Sequence, residues 1–407
     1  MTYTGGTTGM PKGVVGMVGP GVRALLTVVP PMIGQPPVGD PAQAAELATR
    51  LRDLGTRLVT LPACPLMHGT GMVIGLQTPL VVGGSIVLLE GHRFDPEELW
   101  ALAQRHRVVL IAIVGDAFAR PMLRALDVAA DHGRRWDLGA LRLISSSGAM
   151  FSQEVKEGLL EHLAGVTLLD YILSTEGLMG VSVSTASAIA PTGRFRPVPG
   201  VRVFADDGGE ITAGSGEPGL VGLSIGVPLG YHKDTVKSAR TFREVDGVRY
   251  SFPGDWATVE PDGSLALLGR GSQSINTGGE KVFPEEVEEV IKRHPRIEDC
   301  LVFGVSDERF GQRVVAVASP APGQPSTPKD ALATDAPASD APAADALSTD
   351  APAPNALATE ALATARQQLA GYKLPRQIVV VDTVPRAANG KADYAAARAM
   401  FEAATRS

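Results

Sequence analysis

The run Tyr3-Thr4-Gly5-Gly6-Thr7-Thr8-Gly9-Met10-Pro11-Lys12-Gly13 places four glycines, three threonines and a lysine in eleven residues. Those types suit a loop that holds phosphate. Glycines let the backbone close on an oxyanion and turn through positive φ, and successive N–H groups form an anion-binding concavity. Threonine hydroxyls add donors, and the lysine ammonium brings a point charge. The NTPase phosphate loop is excluded: it needs Gly-x4-Gly-Lys-Ser/Thr, whereas here Pro11 precedes the lysine and Gly13 follows it. Taken alone, the stretch also reads as a Gly/Thr-rich surface linker.

Six other short segments carry side chains that could serve a site. His68 lies in Pro65-Leu66-Met67-His68-Gly69-Thr70-Gly71, Glu176 in Ser174-Thr175-Glu176-Gly177, and Asp255 in Pro253-Gly254-Asp255-Trp256. The cations are Arg270 in Leu268-Gly269-Arg270-Gly271, Lys281 in Gly278-Gly279-Glu280-Lys281, and Lys391 in Asn389-Gly390-Lys391. Singly, each has a plainer reading: a half-buried histidine, a strand-end or turn carboxylate, a solvated lysine. Cys64 and Cys300 have no second cysteine or histidine at metal-ligand spacing, so no structural zinc is expected. Two cysteines so far apart suggest no disulfide framework and a reducing compartment.

The elements that must position these residues read as α/β. The 407 residues, 44% hydrophobic and 20% charged, suit two or three globular domains. A net charge of −7 without any Lys/Arg block argues against a nucleic-acid partner. The N-terminus lacks the flanks of a signal peptide. The apolar stretch Gly71 to Leu89 is broken by Gln77, Pro79 and Gly83-Gly84, so no transmembrane segment is expected and the cytoplasm is the simplest location. Residues 20 to 45 are rich in Pro and Gly, with few periodic signals beyond the apolar run Ala24 to Val29. A helix is predicted from Pro41 to Leu54, with Ala44, Leu47, Ala48 and Leu51 on one face. Leu58 to Leu61, Val108 to Val114, Leu141 to Ile144 and Val166 to Tyr171 read as strands, with helices after Asp116 and near Ser152. The unbroken apolar run at Val108 suits a parallel strand covered on both faces. Ligands then bind at the carboxyl ends of the strands, where the His68, Gly148-Ala149 and Thr175-Glu176 segments fall.

From Pro191 to Gly230 short strands at Val201 to Ala205, Glu210-Ile211 and Leu220 to Ile225, with the turn Asp206 to Gly209, read as a small β-rich subdomain. Further on come a helix from Pro284 to His294 and strands Cys300 to Val305, Val314 to Ala318 and Ile378 to Val381. Between them, residues 320 to about 362 repeat Asp-Ala-Pro-Ala and Ala-Leu-Ala-Thr units. That composition predicts a flexible insertion without chemistry of its own.

The Tyr3 to Gly13 string resembles the phosphate-loop signature of the AMP-forming acyl-CoA synthetases, part of the adenylate-forming superfamily. Pro-Leu-Met-His-Gly-Thr-Gly at 65–71, Gly-Asp-Ala-Phe-Ala-Arg-Pro at 115–121 and Ile-Asn-Thr-Gly-Gly-Glu-Lys-Val-Phe-Pro at 275–284 resemble the actinobacterial branch that handles fatty and steroid-derived acids. The resemblance implies a large α/β adenylate-forming domain of parallel-rich sheets, helices and a small β subdomain over residues 1–268. A hinge at 269–275 and a small, mobile α+β C-terminal domain over 276–407 would follow. The implied reaction activates a carboxylic acid with ATP and Mg²⁺ to acyl-AMP, then passes the acyl group to CoA. Thr4, Gly5, Gly6, Thr7, Thr8, Gly9 and Lys12 would hold the β- and γ-phosphates. Gly148-Ala149 would pack beside adenine, with Tyr171 as its aromatic partner. Thr175 would touch the α-phosphate, and Glu176 would hold Mg²⁺. Asp255 and Arg270 would reach the ribose, and Lys391 would bridge the carboxylate and the α-phosphate. Gly278, Gly279 and Lys281 would line the pantetheine tunnel, and His68 with Gly69 the acyl pocket. The partners so implied are small molecules, and a homodimer is compatible with them.

Four features depart from the family pattern. The phosphate loop lies well inside family chains, so an N-terminally truncated adenylation domain is expected here. The usual aromatic-glycine pair ahead of the glutamate is Ile172-Leu173, with Tyr171 one position early. Pro253 replaces the common threonine before Gly254-Asp255, and Ser272 stands at the hinge position where many relatives carry Asp or Lys. These departures leave two other functions open. One is a catalytically silent paralogue that binds nucleotide or CoA; the other is an adenylating enzyme that loads a carrier-protein thiol.

Overall fold

The strand Leu110–Ile113 is buried at every residue, and its side chains supply two cores at once. Ile111 and Ile113 face one hydrophobic cluster and Leu110 and Ala112 another, as the period-2 alternation of a strand covered on both sides requires. The computed structural model describes residues 1–4, 12–91, 93–278, 280–307, 309–322, 332–334, 356–387 and 390–405. They form two units: Met1–Leu267 with Ala388–Lys391, and Leu268–Ala387 with Ala392–Ser407.

In the first unit, parallel strands run in the order Ser85–Ile86, Val59–Pro62, Leu110–Ile113, Leu143–Ser147, Thr167–Ser174. The sheet continues antiparallel through Gly177–Ser184 and Arg194–Pro197. Beyond these lie the shorter strands that include Gly219–Leu223, Val248–Ser251 and Asp255–Val259. Helices Pro96–Arg105, Asp116–Asp131 and Gln153–His162 bury Trp100, Met122 and Leu159 on one face of the parallel part. Helices Val18–Met32 and Pro41–Asp53 bury Leu26, Val29, Leu47 and Leu51 on the other. Two of these helices start on the same device. Asp40 accepts from the N–H groups of Ala42 and Gln43, Asp95 from those of Glu97 and Glu98, and a proline follows each cap. A separate small sheet pairs Lys12–Val15 with Thr2–Thr4 on one side and Gly230–Tyr231 on the other.

The second unit is a sheet with the long hairpin Ile297–Asp307 and Gly311–Pro320 at its centre. Gln377–Val380 pairs parallel to Gly311–Pro320, and Ile275–Thr277 and Glu280–Val282 form a hairpin at one side. Helices Pro284–Lys292 and Ala356–Arg366 share one core cluster, and Tyr394–Thr405 packs in the other. The segment read as the hinge contains a helical turn, Gly271–Gln273. Among the described residues no helix is long and apolar enough to cross a membrane.

Several expectations are corrected. Residues 18–32, read as largely aperiodic, are helical despite Pro30 and Pro31. The carbonyl of Leu26, which Pro30 has no N–H to meet, accepts from the N–H of Val38 at 3.0 Å. The repetitive segment is not an insertion throughout. Leu332–Thr334 pairs with Gln377–Val380, and Ala356–Arg366 is a packed helix whose Ala358, Ala361 and Ala365 are fully buried. Residues 323–331 and 335–355 lie outside the described residues. Ser145 to Ser147, expected as a loop, complete a strand, and Ile172 to Ser174 prolong the next. Glu210-Ile211 supplies only a single bridge from Glu210 to Phe204.

Candidate active site

Parallel strands deliver their carboxyl ends to one edge, and the chemistry-bearing loops of the first unit begin there. After Val59–Pro62 the backbone stays on the sheet, the Ala63 N–H donating to Ala112 O at 2.9 Å, and then turns at Pro65, whose carbonyl accepts from the His68 N–H at 2.9 Å. The turn is tight enough that a β-carbon on Gly71 would strike the Pro65 carbonyl. The His68 imidazole is buried, and its Nδ1 accepts from the Thr70 N–H at 3.3 Å. That bond assigns the ring proton to Nε2. Thr70 Oγ1 donates to Ser147 O at 3.3 Å, which ties the His68 loop to the end of the neighbouring strand.

Gly148 follows directly. Its φ of +89° suits glycine, and a β-carbon there would lie 3.0 Å from His68 Cε1, 3.3 Å from Nε2 and 3.8 Å from Lys391 Cε. His68, Gly148 and Lys391, read from segments far apart in sequence, therefore meet. Burial, reinforced by the positive charge of Lys391, lowers the His68 pKa to about 4, so the ring is neutral at physiological pH. The loop beyond Gly148 is pinned by Gly115-Asp116. The Asp116 N–H donates to Met150 O at 2.8 Å, and its carboxylate accepts from the Ser152 N–H at 2.9 Å and from Arg120 Nε at 3.2 Å. The sequence reading quoted this motif without giving Asp116 a task.

Thr175-Glu176 is a two-residue turn between antiparallel strands, with Ser174 opposite Gly177. Glu176 is buried, its N–H donates to Ser174 Oγ at 3.2 Å, and its carbonyl accepts from Ser251 Oγ at 3.3 Å. Its Oε1 accepts from the Tyr231 hydroxyl at 2.6 Å. Lys12 Nζ stands 5.5 Å from the centroid of the same tyrosine ring. Tyr231 thus links two candidates, yet it was missed. Its segment has no motif character, and only the pairing of Gly230–Tyr231 with Lys12–Val15 brings it in.

The remaining candidates are placed individually. Tyr171 is the register partner of Ser147, its ring packs against the cluster containing Leu26 and Leu143, and burial raises its pKa to about 12. Ala149 is half-buried and Gly69 exposed. Asp255 is buried at the start of its strand, after Gly254. In the second unit, the Arg270 N–H donates to Glu285 Oε1 at 3.5 Å, the Gly278 N–H donates to Phe310 O at 3.0 Å, and Lys281 faces Asn276 across the hairpin. Thr4 is seen as strand backbone, and Gly5, Gly6, Thr7, Thr8, Gly9 and Gly279 lie outside the described residues. Among the described residues no three His, Cys, Asp or Glu side chains could enclose a metal. A single carboxylate completed by substrate phosphates is a usual magnesium arrangement, and Glu176 fits it.

Comparison with known proteins gives this geometry a family. The AMP-binding enzyme profile matches residues 1–224, and that of the AMP-binding enzyme C-terminal domain matches residues 286–391. A medium/long-chain-fatty-acid–CoA/3-oxocholest-4-en-26-oate–CoA ligase of Mycolicibacterium smegmatis is 38% identical over 404 residues, 99% of this chain and 66% of that protein. A 3-oxocholest-4-en-26-oate–CoA ligase of Rhodococcus rhodochrous is 39% identical over 395 residues, 96% of this chain and 64% of that protein. The chain thus spans just under two thirds of the length of these relatives. The crystal structure of the anthranilate CoA ligase AuaEII with anthranoyl-AMP superposes with a TM-score of 0.70 at 23% identity, covering 100% of this chain and 67% of that one, and shares the fold. The profile match over more than half of the residues identifies the chain as a member of the AMP-binding enzyme family.

Proposed function

We propose that the protein is an ATP-dependent acid–CoA ligase of the cytoplasm, acting on medium- or long-chain fatty acids or steroid-derived acids. The observation that carries this reading is the convergence of His68, Gly148 and Lys391 at the carboxyl edge of the parallel strands. The substrate class follows the named relatives.

In the first step the substrate carboxylate attacks the α-phosphorus of ATP. A new P–O bond forms, the bond to the β-phosphate oxygen breaks, and pyrophosphate leaves. No proton need move, so the demand on the protein is to bring anions together and to stabilise charge on the departing phosphates. Lys391 offsets the repulsion between carboxylate and α-phosphate, and Lys12 serves the leaving pyrophosphate. Neutral His68 presents Nε2–H toward Gly148 as a donor that adds no charge. Gly148 leaves room there for a ligand beside the imidazole. Magnesium, when bound, neutralises phosphate charge, and Glu176 is the residue to hold it. In the second step the CoA thiol attacks the acyl carbonyl, giving the thioester, AMP and a proton. Gly278 and Lys281 are assigned to that step. The test is acid-dependent exchange of pyrophosphate into ATP, followed by CoA-dependent thioester formation.

A further inference from the structure

We propose that Tyr231 is a positioning residue that couples the phosphate-holding lysine to the cation-holding carboxylate, its hydroxyl fixing Glu176 and its ring supporting Lys12. The inference rests on the ligase reading for the roles of those two partners, and on the tyrosine's own geometry for the link. Lys12 and Glu176 lie on different sheets and far apart in the chain. Lys12 begins the strand Lys12–Val15, and Tyr231 is the register partner of Val14 on that strand. Lys12 and Val14 point to the same face, because strand side chains alternate. The Tyr231 ring packs there with Val14 and Phe242, its centroid 5.2 Å from that of Phe242. Its N–H donates to Ser238 Oγ at 2.8 Å, so backbone and ring are both held.

From that fixed position the hydroxyl reaches Glu176 Oε1 at 2.6 Å. A carboxylate on a two-residue turn has free side-chain torsions. A short bond from a buried phenol selects one orientation and commits Oε1, which directs Oε2 toward an incoming cation. A neutral donor suits the task, since it orients the carboxylate without neutralising it. The ring face supports the lysine ammonium through its quadrupole. One side chain thereby sets the spacing between the charge that meets phosphate and the charge that meets the cation.

The experiment compares Tyr231→Phe, which keeps the ring and deletes the hydroxyl, with Tyr231→Leu, which deletes both. Calorimetric titration is run with Mg·ATP and with ATP in excess EDTA. Tyr231→Phe should weaken Mg·ATP binding about tenfold, the loss expected for a hydrogen bond to a charged group, with metal-free ATP affinity unchanged. Tyr231→Leu should weaken both. Equal effects on the two forms in Tyr231→Phe, or none, overturn the proposal. A second measurement does not depend on nucleotide binding: 3-fluorotyrosine placed at position 231 of the full chain and observed by ¹⁹F NMR. Glu176→Gln should shift its resonance in the free protein, and an unmoved resonance overturns the link. If the wild-type chain binds no ATP, the ligase reading fails, and the fluorine shift alone sustains or removes the coupling.

Discussion

The imidazole of His68 rests against the bare α-carbon of Gly148, where a β-carbon would lie 3.0 Å from Cε1. The contact brings together residues from the loops after two neighbouring parallel strands. It leaves room for a ligand only while position 148 lacks a side chain.

Gly148→Ala should therefore harm both fold and function. The φ of +89° is strained for any side chain, and the β-carbon would press on His68 and approach Lys391. A stability loss of about 1–3 kcal/mol is expected by denaturant unfolding, with a raised KM for the acid. Unchanged stability and KM would show that the contact has no such role.

His68 should titrate near pH 4, well below its ordinary 6.5, because of burial first and Lys391 second. The unfolded chain takes up this proton before the folded one does. Stability from the group is complete above 6.5 and is lost as pH falls toward about 4. Lys391→Ala removes the second cause and should move the titration upward. The imidazole resonances report this by NMR, and an identical titration in the variant would separate the two residues.

Asp170 should give the opposite slope. It is buried 4.0 Å from Lys156 Nζ, on the face of the sheet that also holds Asp116. Burial raises its pKa to about 7, with Lys156 opposing and Asp116 adding to the rise. The folded state keeps a proton that the unfolded chain gives up near 3.8, so this contribution is lost as pH rises toward 7. Asp170→Asn should flatten that part of the stability profile, measured by urea unfolding across pH. An unchanged slope would place its source elsewhere.

The Arg386–Asp299 pair is bidentate, at 2.6 and 2.7 Å, and a bridge from Arg386 to Ala392 closes the loop that carries Lys391. Burial pushes the Asp299 pKa up, but Arg386 outweighs it and holds the carboxyl below its usual range. Asp299→Asn should cost about 1.5–3 kcal/mol, as for hydrogen bonds to charged groups. It should also lower the adenylation rate more than thioester formation. Equal effects on the two steps would mean that the pair stabilises the fold without serving the loop.

What the sequence made legible follows from how local each signal is. The apolar run at Val108 and the capped helix at Pro41 are local patterns, and both elements form within a few residues of their expected bounds. His68 and Glu176 were recognisable because each sits in a motif of consecutive residues. Two helices were hidden by composition. In Val18–Met32 the breakers Pro30 and Pro31 obscured an apolar face. In Ala356–Arg366 the buried stripe of Ala358, Ala361 and Ala365 reads as low complexity, since alanine gives little hydropathy contrast. Tyr231 was hidden for another reason: its importance arises only through strand pairing and a side-chain contact across long sequence distance.

The central claim is tested most directly by acid-dependent ATP–pyrophosphate exchange, compared between the wild-type chain and Lys391→Ala. The account predicts exchange that requires a medium- or long-chain or steroid acid. It predicts a fall of about a hundredfold or more in the variant, the scale of a lost electrostatic contact to the transition state, while thioester formation from supplied acyl-AMP stays near wild type. A folded wild-type protein that shows no exchange across such acids, or a variant that loses both steps equally, would contradict it.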